Sequence, residues 1–192
     1  MQKLFVLAGV LVCSLQVWAQ DYSKAEVFGG YQYTRLSSDI SPVAGANGWD
    51  GAITVNFNNV IGITGDFNGA YQHVSGSYVG TSGSYPGHFF SYTAGPTFSF
   101  NSGGKVRPFL HFLFGGARVS SSASANGLTV SASANGFTEM AGGGLDMKLS
   151  KSISFRLVQA DWVFYHFGSL GSLGSTNSYG NAKIATGVVF HF

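Results

Sequence analysis

From Ala25 onward the chain is a succession of short segments in which apolar and polar residues alternate at every second position, the period of a strand with two unlike faces. Ala25 to Thr34 sets Val27, Gly29, Tyr31 and Tyr33 against Glu26, Phe28, Gly30, Gln32 and Thr34. Trp49 to Asn58 sets Trp49, Gly51, Ile53, Val55 and Phe57 against Asp50, Ala52, Thr54 and Asn56. Val60 to Tyr71 opposes Ile61, Ile63, Gly65, Phe67, Gly69 and Tyr71 to Gly62, Thr64, Asp66 and Asn68. His88 to Phe100 opposes Phe90, Tyr92, Ala94, Pro96, Phe98 and Phe100 to Ser91, Thr93, Gly95, Thr97 and Ser99.

The later segments are less regular. Val106 to Val119 has Pro108, Leu110, Phe112 and Phe114 on one face and Arg107, Phe109, His111 and Leu113 on the other. Phe137 to Leu149 puts Ala141, Gly143, Leu145, Met147 and Leu149 opposite Gly142, Gly144, Asp146 and Lys148. Ser152 to Tyr165 carries Ile153, Phe155 and Leu157 on one face and Arg156 on the other. Strict alternation then sends Asp161 to the apolar face; a bulge between Arg156 and Asp161, or an interfacial place for Asp161, resolves the conflict. Lys183 to Phe192 alternates to the last residue, with Ile184, Thr186, Val188, Phe190 and Phe192 facing one way and Lys183, Ala185, Gly187, Val189 and His191 the other.

The spacing predicts eight strands of about 9–11 residues, the length a tilted strand needs to cross a bilayer. Asn58-Asn59, Asn101–Lys105 and Ser150-Lys151 are short turns; Arg35–Gly48, Gln72–Gly87, Ser120–Gly136 and His166–Gly180 are long and rich in Ser, Gly and Asn. Short and long connections in strict alternation predict an all-β, eight-stranded antiparallel up-and-down barrel. An apolar strand at a chain end is an exposed edge in water, whereas closure in lipid removes the edge. After residue 19 no apolar run reaches the roughly 20 residues of a spanning helix.

The first residues fit export. Met1-Gln2-Lys3 is a positive start, Leu4 to Val12 a short apolar run, and Val17-Trp18-Ala19 a small-residue cleavage site. Residues 1–19 are read as a cleaved secretory signal and 20–192 as one barrel domain. A retained helix would need a longer run, and a lipoprotein signal at Cys13 a small residue where Val12 stands. Beyond Cys13 there is no cysteine for a disulfide, thiol nucleophile or metal site. Only 9% of residues are charged, with 10 Lys+Arg against 8 Asp+Glu, while 28 Gly, 17 Phe and 9 Tyr dominate. There is no basic footprint for nucleic acid.

With Val27-Phe-Gly-Gly-Tyr-Gln-Tyr33, Gly62-Ile-Thr-Gly-Asp-Phe67, Gly142-Gly-Gly-Leu-Asp146, Arg156-Leu-Val-Gln-Ala-Asp-Trp162 and Gly187-Val-Val-Phe-His-Phe192 in this order, the chain resembles the small outer-membrane β-barrel family, like the OmpA-type transmembrane domain. The resemblance covers about residues 24–192. It implies a bacterial outer-membrane location, contact with membrane lipid and lipopolysaccharide, and an ending (Gly187, Phe190, Phe192) presented to the outer-membrane assembly machinery. No peptidoglycan-binding segment follows Phe192, so a cell-wall tether is not implied.

If the apolar faces meet lipid, the other faces fill the lumen with Glu26, Asp50, Asp66, Arg107, His111, Asp146, Arg156, Lys183 and His191. Buried charges need partners, and eight strands leave room only for side chains, so a polar plug is expected, with a narrow pore as the alternative. His166-Phe-Gly-Ser169 is the nearest approach to a hydrolase pair, but its spacing does not fit the His-x-Ser-Asn pattern of the lipid A deacylases. Gly142-Gly-Gly144 lacks the Lys-Ser/Thr of a phosphate loop, and the histidines lack paired ligand spacing, so no cofactor or metal is called for. Tyr31, Tyr33, Trp49, Tyr71, Tyr92, Trp162, Tyr165 and Phe192 read as a membrane-interface girdle. The expected role is structural or surface-interacting, not enzymatic. A partner outside the cell would meet the loops, Gln72–Gly87 with Tyr78 and Tyr85 among them. A soluble lipocalin-type barrel, apolar inside, is the rival fold.

Overall fold

The computed structural model describes residues 23–35, 45–78, 81–100, 104–125, 128–167 and 177–192, without the side chains of 73–78, 81–86, 121–125, 128–132, 167 and 177–179. The expected signal segment lies outside the described residues. Alternation becomes eight strands: β1 (Ala25–Arg35), β2 (Ala46–Asn56), β3 (Ile61–Tyr78), β4 (Thr81–Ser99), β5 (Val106–Ala125), β6 (Leu128–Lys148), β7 (Ile153–Phe167) and β8 (Asn177–His191). Each pairs antiparallel with the next, and β8 pairs with β1, so the sheet closes into a barrel. At the seam Val27 stands opposite Phe190, Phe192 N donates to Ala25 O, and Lys24 N donates to Phe192 O.

Side-chain direction decides between the rival folds. Ile53, Phe67 and Ile184, each 53% exposed, point outward, while Lys183 (2%) and Asp66 (1%) point inward. The barrel is polar inside and apolar outside, the inverse of a lipocalin-type barrel. The lumen also holds apolar layers that alternation did not announce as such: Leu113, Ala117, Met140, Val163 and Tyr165 form one, and Phe28, Ala52, Ala185 and Val189 another.

Two of the three short turns are fixed by a side chain. Asn58 Oδ1 accepts from the backbone of Val60 and Ile61, and Ser150 Oγ accepts from Ser152 and Ile153. On the outer face near the opposite end, aromatic rings lie over glycines of the adjoining strand: Trp49 over Gly69, Tyr92 over Gly116, Trp162 over Gly180. The ring covers backbone that would otherwise be bare, which pins strand register.

Two of the expected long loops are largely strand. Gln72–Gly87 is a hairpin in which Ser75 pairs with Ser84 and Tyr78 with Thr81; in Ser120–Gly136, Ser122 pairs with Ser131 and Ala125 with Leu128. Here β4 also pairs with β5, as far as Ser84 opposite Ser124. The extension is built mostly of Ser, Gly and Ala, so its alternation lacks the bulky apolar positions that mark a strand in lipid and its composition reads as loop. Of the other two, Arg35–Gly48 gives Ala46–Gly48 to β2, and His166–Gly180 gives its ends to β7 and β8.

Candidate functional site in the barrel lumen

Inward-facing positions of seven strands bring the lumen charges into one network. At the short-turn end, Arg107 on β5 grips Glu26 on β1 with two bonds, Nη1 to Oε1 at 2.6 Å and Nη2 to Oε2 at 2.5 Å. Asn56 Nδ2 donates to the same carboxylate at 2.7 Å. His191 lies beside it, Nδ1 3.7 Å from Glu26 Oε1, with Nε2 2.7 Å from Ser154 Oγ.

Above this tier Arg156 on β7 holds Asp146 on β6, Nε to Oδ1 at 2.8 Å and Nη2 to Oδ2 at 3.1 Å. Its guanidinium lies between two rings, 4.2 Å from the centre of Phe28 and 4.3 Å from that of Phe109. The planar cation is thus forked to a carboxylate and stacked on aromatic faces at once, which only arginine does well. Arg107 Nη2 is 3.6 Å from Asp146 Oδ2, which joins the two tiers.

Gln159 passes the network upward, accepting from Arg156 Nη1 at 2.6 Å and donating to Asp161 Oδ2 at 2.7 Å. Asp161 Oδ1 is 2.8 Å from His111 Nε2. Lys183 Nζ sits among three carboxylates, 2.9 Å from Asp50, 3.2 Å from Asp161 and 3.6 Å from Asp66. Asn68 and then Ser91 continue the chain of bonds from Asp66.

The nine residues singled out for the lumen (Glu26, Asp50, Asp66, Arg107, His111, Asp146, Arg156, Lys183 and His191) face it and meet in this network. The sequence misses Gln159 and leaves Asp161 between a bulge before it and a place at the interface; the structure has the bulge. Register shifts between Arg156 and Gln159 against β8, so Leu157 and Val158 both point outward and every later residue of β7 changes face. The bulge carries Asp161 inward. It also carries in Tyr165, which is buried in the lumen and not part of the interface girdle. The directing signal was the Asp161 conflict itself. Lys148, on the lumen-facing side of its strand, is exposed at the rim.

Five carboxylates (Glu26, Asp50, Asp66, Asp146, Asp161) share the lumen with Arg107, Arg156, Lys183 and two histidines. A cavity of ≈ 10 Å³ remains between Glu26, Thr64, Asp66, Arg107, His111 and Arg156, about the least that holds one water. Ser154, His191 and Glu26 stand in nucleophile–base–acid order, yet Ser154 is 3% exposed and Glu26 is committed to Arg107. That trio is a brace. His166 faces outward, 4.0 Å from Glu139, and Ser169 lies outside the described residues. Among the described residues no group of His, Cys, Asp and Glu is arranged to hold a metal ion.

Gly187 faces inward where a Cβ would meet Gly29 O and Gly30 Cα, while Phe190 and Phe192 point outward. The chain's shape is shared with solved proteins. Ail, the attachment invasion locus protein of Yersinia pestis, is 20% identical with a TM-score of 0.62, over 89% of this chain and 99% of that one. A major outer membrane protein of Thermus thermophilus is 10% identical with a TM-score of 0.56, over 87% and 99%. Neisserial surface protein A is 15% identical with a TM-score of 0.52, over 88% and 98%. No curated protein matches the sequence. Residues 5–192 match the outer membrane protein beta-barrel domain, and with a closed barrel that is apolar outside and charged within, the chain belongs to that family of the bacterial outer membrane.

Proposed function

We propose that the protein is a plugged barrel that binds partners outside the cell through its long hairpins. Strand length carries this reading. β3, β4, β5 and β6 run 18, 19, 20 and 21 residues, against 11 each for β1 and β2. A tilted membrane strand needs about 9–11. The surplus raises one sheet beyond the barrel wall at the long-connection end, which we take as the outward end.

The flanks of that sheet suit recognition by backbone. β2 pairs with β3 only as far as Tyr71, and β7 with β6 only as far as Gly136, so His73–Tyr78 and Leu128–Asn135 have no ladder partner on their outer sides among the described residues. An extended segment of a partner can add there as a further strand. The lumen favours binding over conduction, because its charges are tied to one another across the bore.

Replacing residues 76–83 and 124–129 by two-residue turns tests the reading. The shortened barrel should keep its heat-dependent gel shift and lose adhesion to arrayed matrix proteins and polysaccharides. Undiminished adhesion would overturn the binding role, and conductance steps in planar bilayers would overturn the plug.

A further inference from the structure

The short-turn end of the barrel carries a group of lysines with no ion-pair partner among the described residues. Lys105 precedes β5, Lys148 ends β6 and Lys151 lies in the β6–β7 turn; all three are exposed. Lys148 N donates to Lys105 O at 2.8 Å, so two ammonium-bearing residues stand directly opposite each other. Like charges so placed repel. None of the three forms an ion pair among the described residues. The acidic side chains nearest this end, Glu26 and Asp146, point into the lumen and are held by Arg107 and Arg156. The patch therefore has uncompensated positive charge.

Its surroundings say what compensates it. Leu149 (60% exposed), Phe100 and Val106 point outward at the same level, while Lys105 and Lys148 take the alternate positions at the open rim, from which a four-carbon stem reaches to either side of the wall. Apolar side chains beside ammonium groups on flexible stems are the chemistry of a membrane interface, the first in acyl chains and the second at phosphates. Because these side chains set the rim at headgroup depth, lipid phosphates are the anions nearest the lysines, and a soluble acidic partner would have to displace them. We infer that Lys105, Lys148 and Lys151 form a seat for the phosphate of an anionic phospholipid in the leaflet at the short-turn end. The seat rests on the barrel lying in the membrane and not on the binding role of the hairpins, so the two fail separately.

The test is lipid selectivity of the refolded full barrel in bilayers of phosphatidylcholine with spin-labelled phosphatidylglycerol or spin-labelled phosphatidylcholine. The wild type should prefer the anionic label. The triple variant Lys105→Gln, Lys148→Gln, Lys151→Gln should lose preference by about fivefold per lysine at most, less where other basic groups share the lipid. A triple arginine variant should retain it, and gel shift on heating verifies that each barrel is folded. If the glutamine variant does not fold, the three single variants are read instead. Equal selectivity in wild type and variants would overturn the seat, and so would a wild type without preference, as expected if the lysines serve a soluble acidic partner.

Discussion

Gly142 on β6 stands directly opposite Asp161 on β7, and a single Cβ at Gly142 would overlap Asp161 Oδ1. The missing side chain on one strand is the space that the carboxylate on the next occupies. Gly142→Ala should therefore cost about 1–3 kcal/mol, the usual range for overpacking. Gly29→Ala is the control: it faces outward with nothing within 4 Å of the added carbon, and should stay within about 0.5 kcal/mol. Urea unfolding of the barrel in micelles, followed by tryptophan fluorescence, measures both.

Lys183 Nζ lies within 3.6 Å of three carboxylates from three strands. Lys183→Met leaves them buried together, and removing one partner of a buried pair costs about 3–5 kcal/mol. Adding Asp50→Asn and Asp161→Asn to that variant should restore a substantial part of the loss. If the triple variant unfolds at the same urea concentration as the single one, the lysine is not acting through these carboxylates.

Arg156→Lys keeps the charge and discards both the fork to Asp146 and the stacking between Phe28 and Phe109. A loss of about 1.5–3 kcal/mol is expected, the range for a hydrogen bond to a charged group. Stability equal to wild type would show that charge alone is what the position supplies.

Deleting both Leu157 and Val158 leaves Gln159 next to Arg156 and turns Asp161 and Tyr165 toward lipid. The yield of heat-shifting barrel in the outer-membrane fraction should collapse. Deleting Val158 alone should be milder, because Arg156 and Gln159 then stand two positions apart and Asp161 and Tyr165 keep their faces.

Phe192 is outward and over half exposed, and its carbonyl accepts from Lys24 at the seam. Phe192→Lys is expected to lower insertion into the outer membrane while leaving the purified barrel able to refold in detergent. Normal insertion in cells would show that the assembly machinery does not read this residue.

Legibility followed the contrast between the two faces. Where one face meets lipid and the other a charged lumen, as from Ile61 to Tyr71, each residue announced its direction. From Ser120 to Ala134 the alternation sets Ser and Thr against mostly Ala, a contrast too small to stand out from a Ser-rich loop, and strand passed for loop. The lumen charges were legible one by one because charge is scarce in this chain. Their partners were not, since Glu26 and Arg107 are 81 positions apart and meet only across the closed bore. Asp161 fell between these cases: a parity error showed that something intervened, and only the register of β8 located it at Leu157 and Val158.

Three of the lumen contacts run between strands that are not neighbours in the wall: Glu26 to Arg107 joins β1 to β5, Asp50 to Lys183 joins β2 to β8, His111 to Asp161 joins β5 to β7. They are spokes, and a spoked rim resists being flattened into an ellipse. Those from β1 and β2 draw tight only after the first strand has met the last. Until then Glu26 and Asp50 face a bore without their counter-charges, an arrangement that low-dielectric surroundings penalise heavily. The same side chains that fill the barrel thus act as its latch, favouring the sealed ring over every open-seamed form on the way to it.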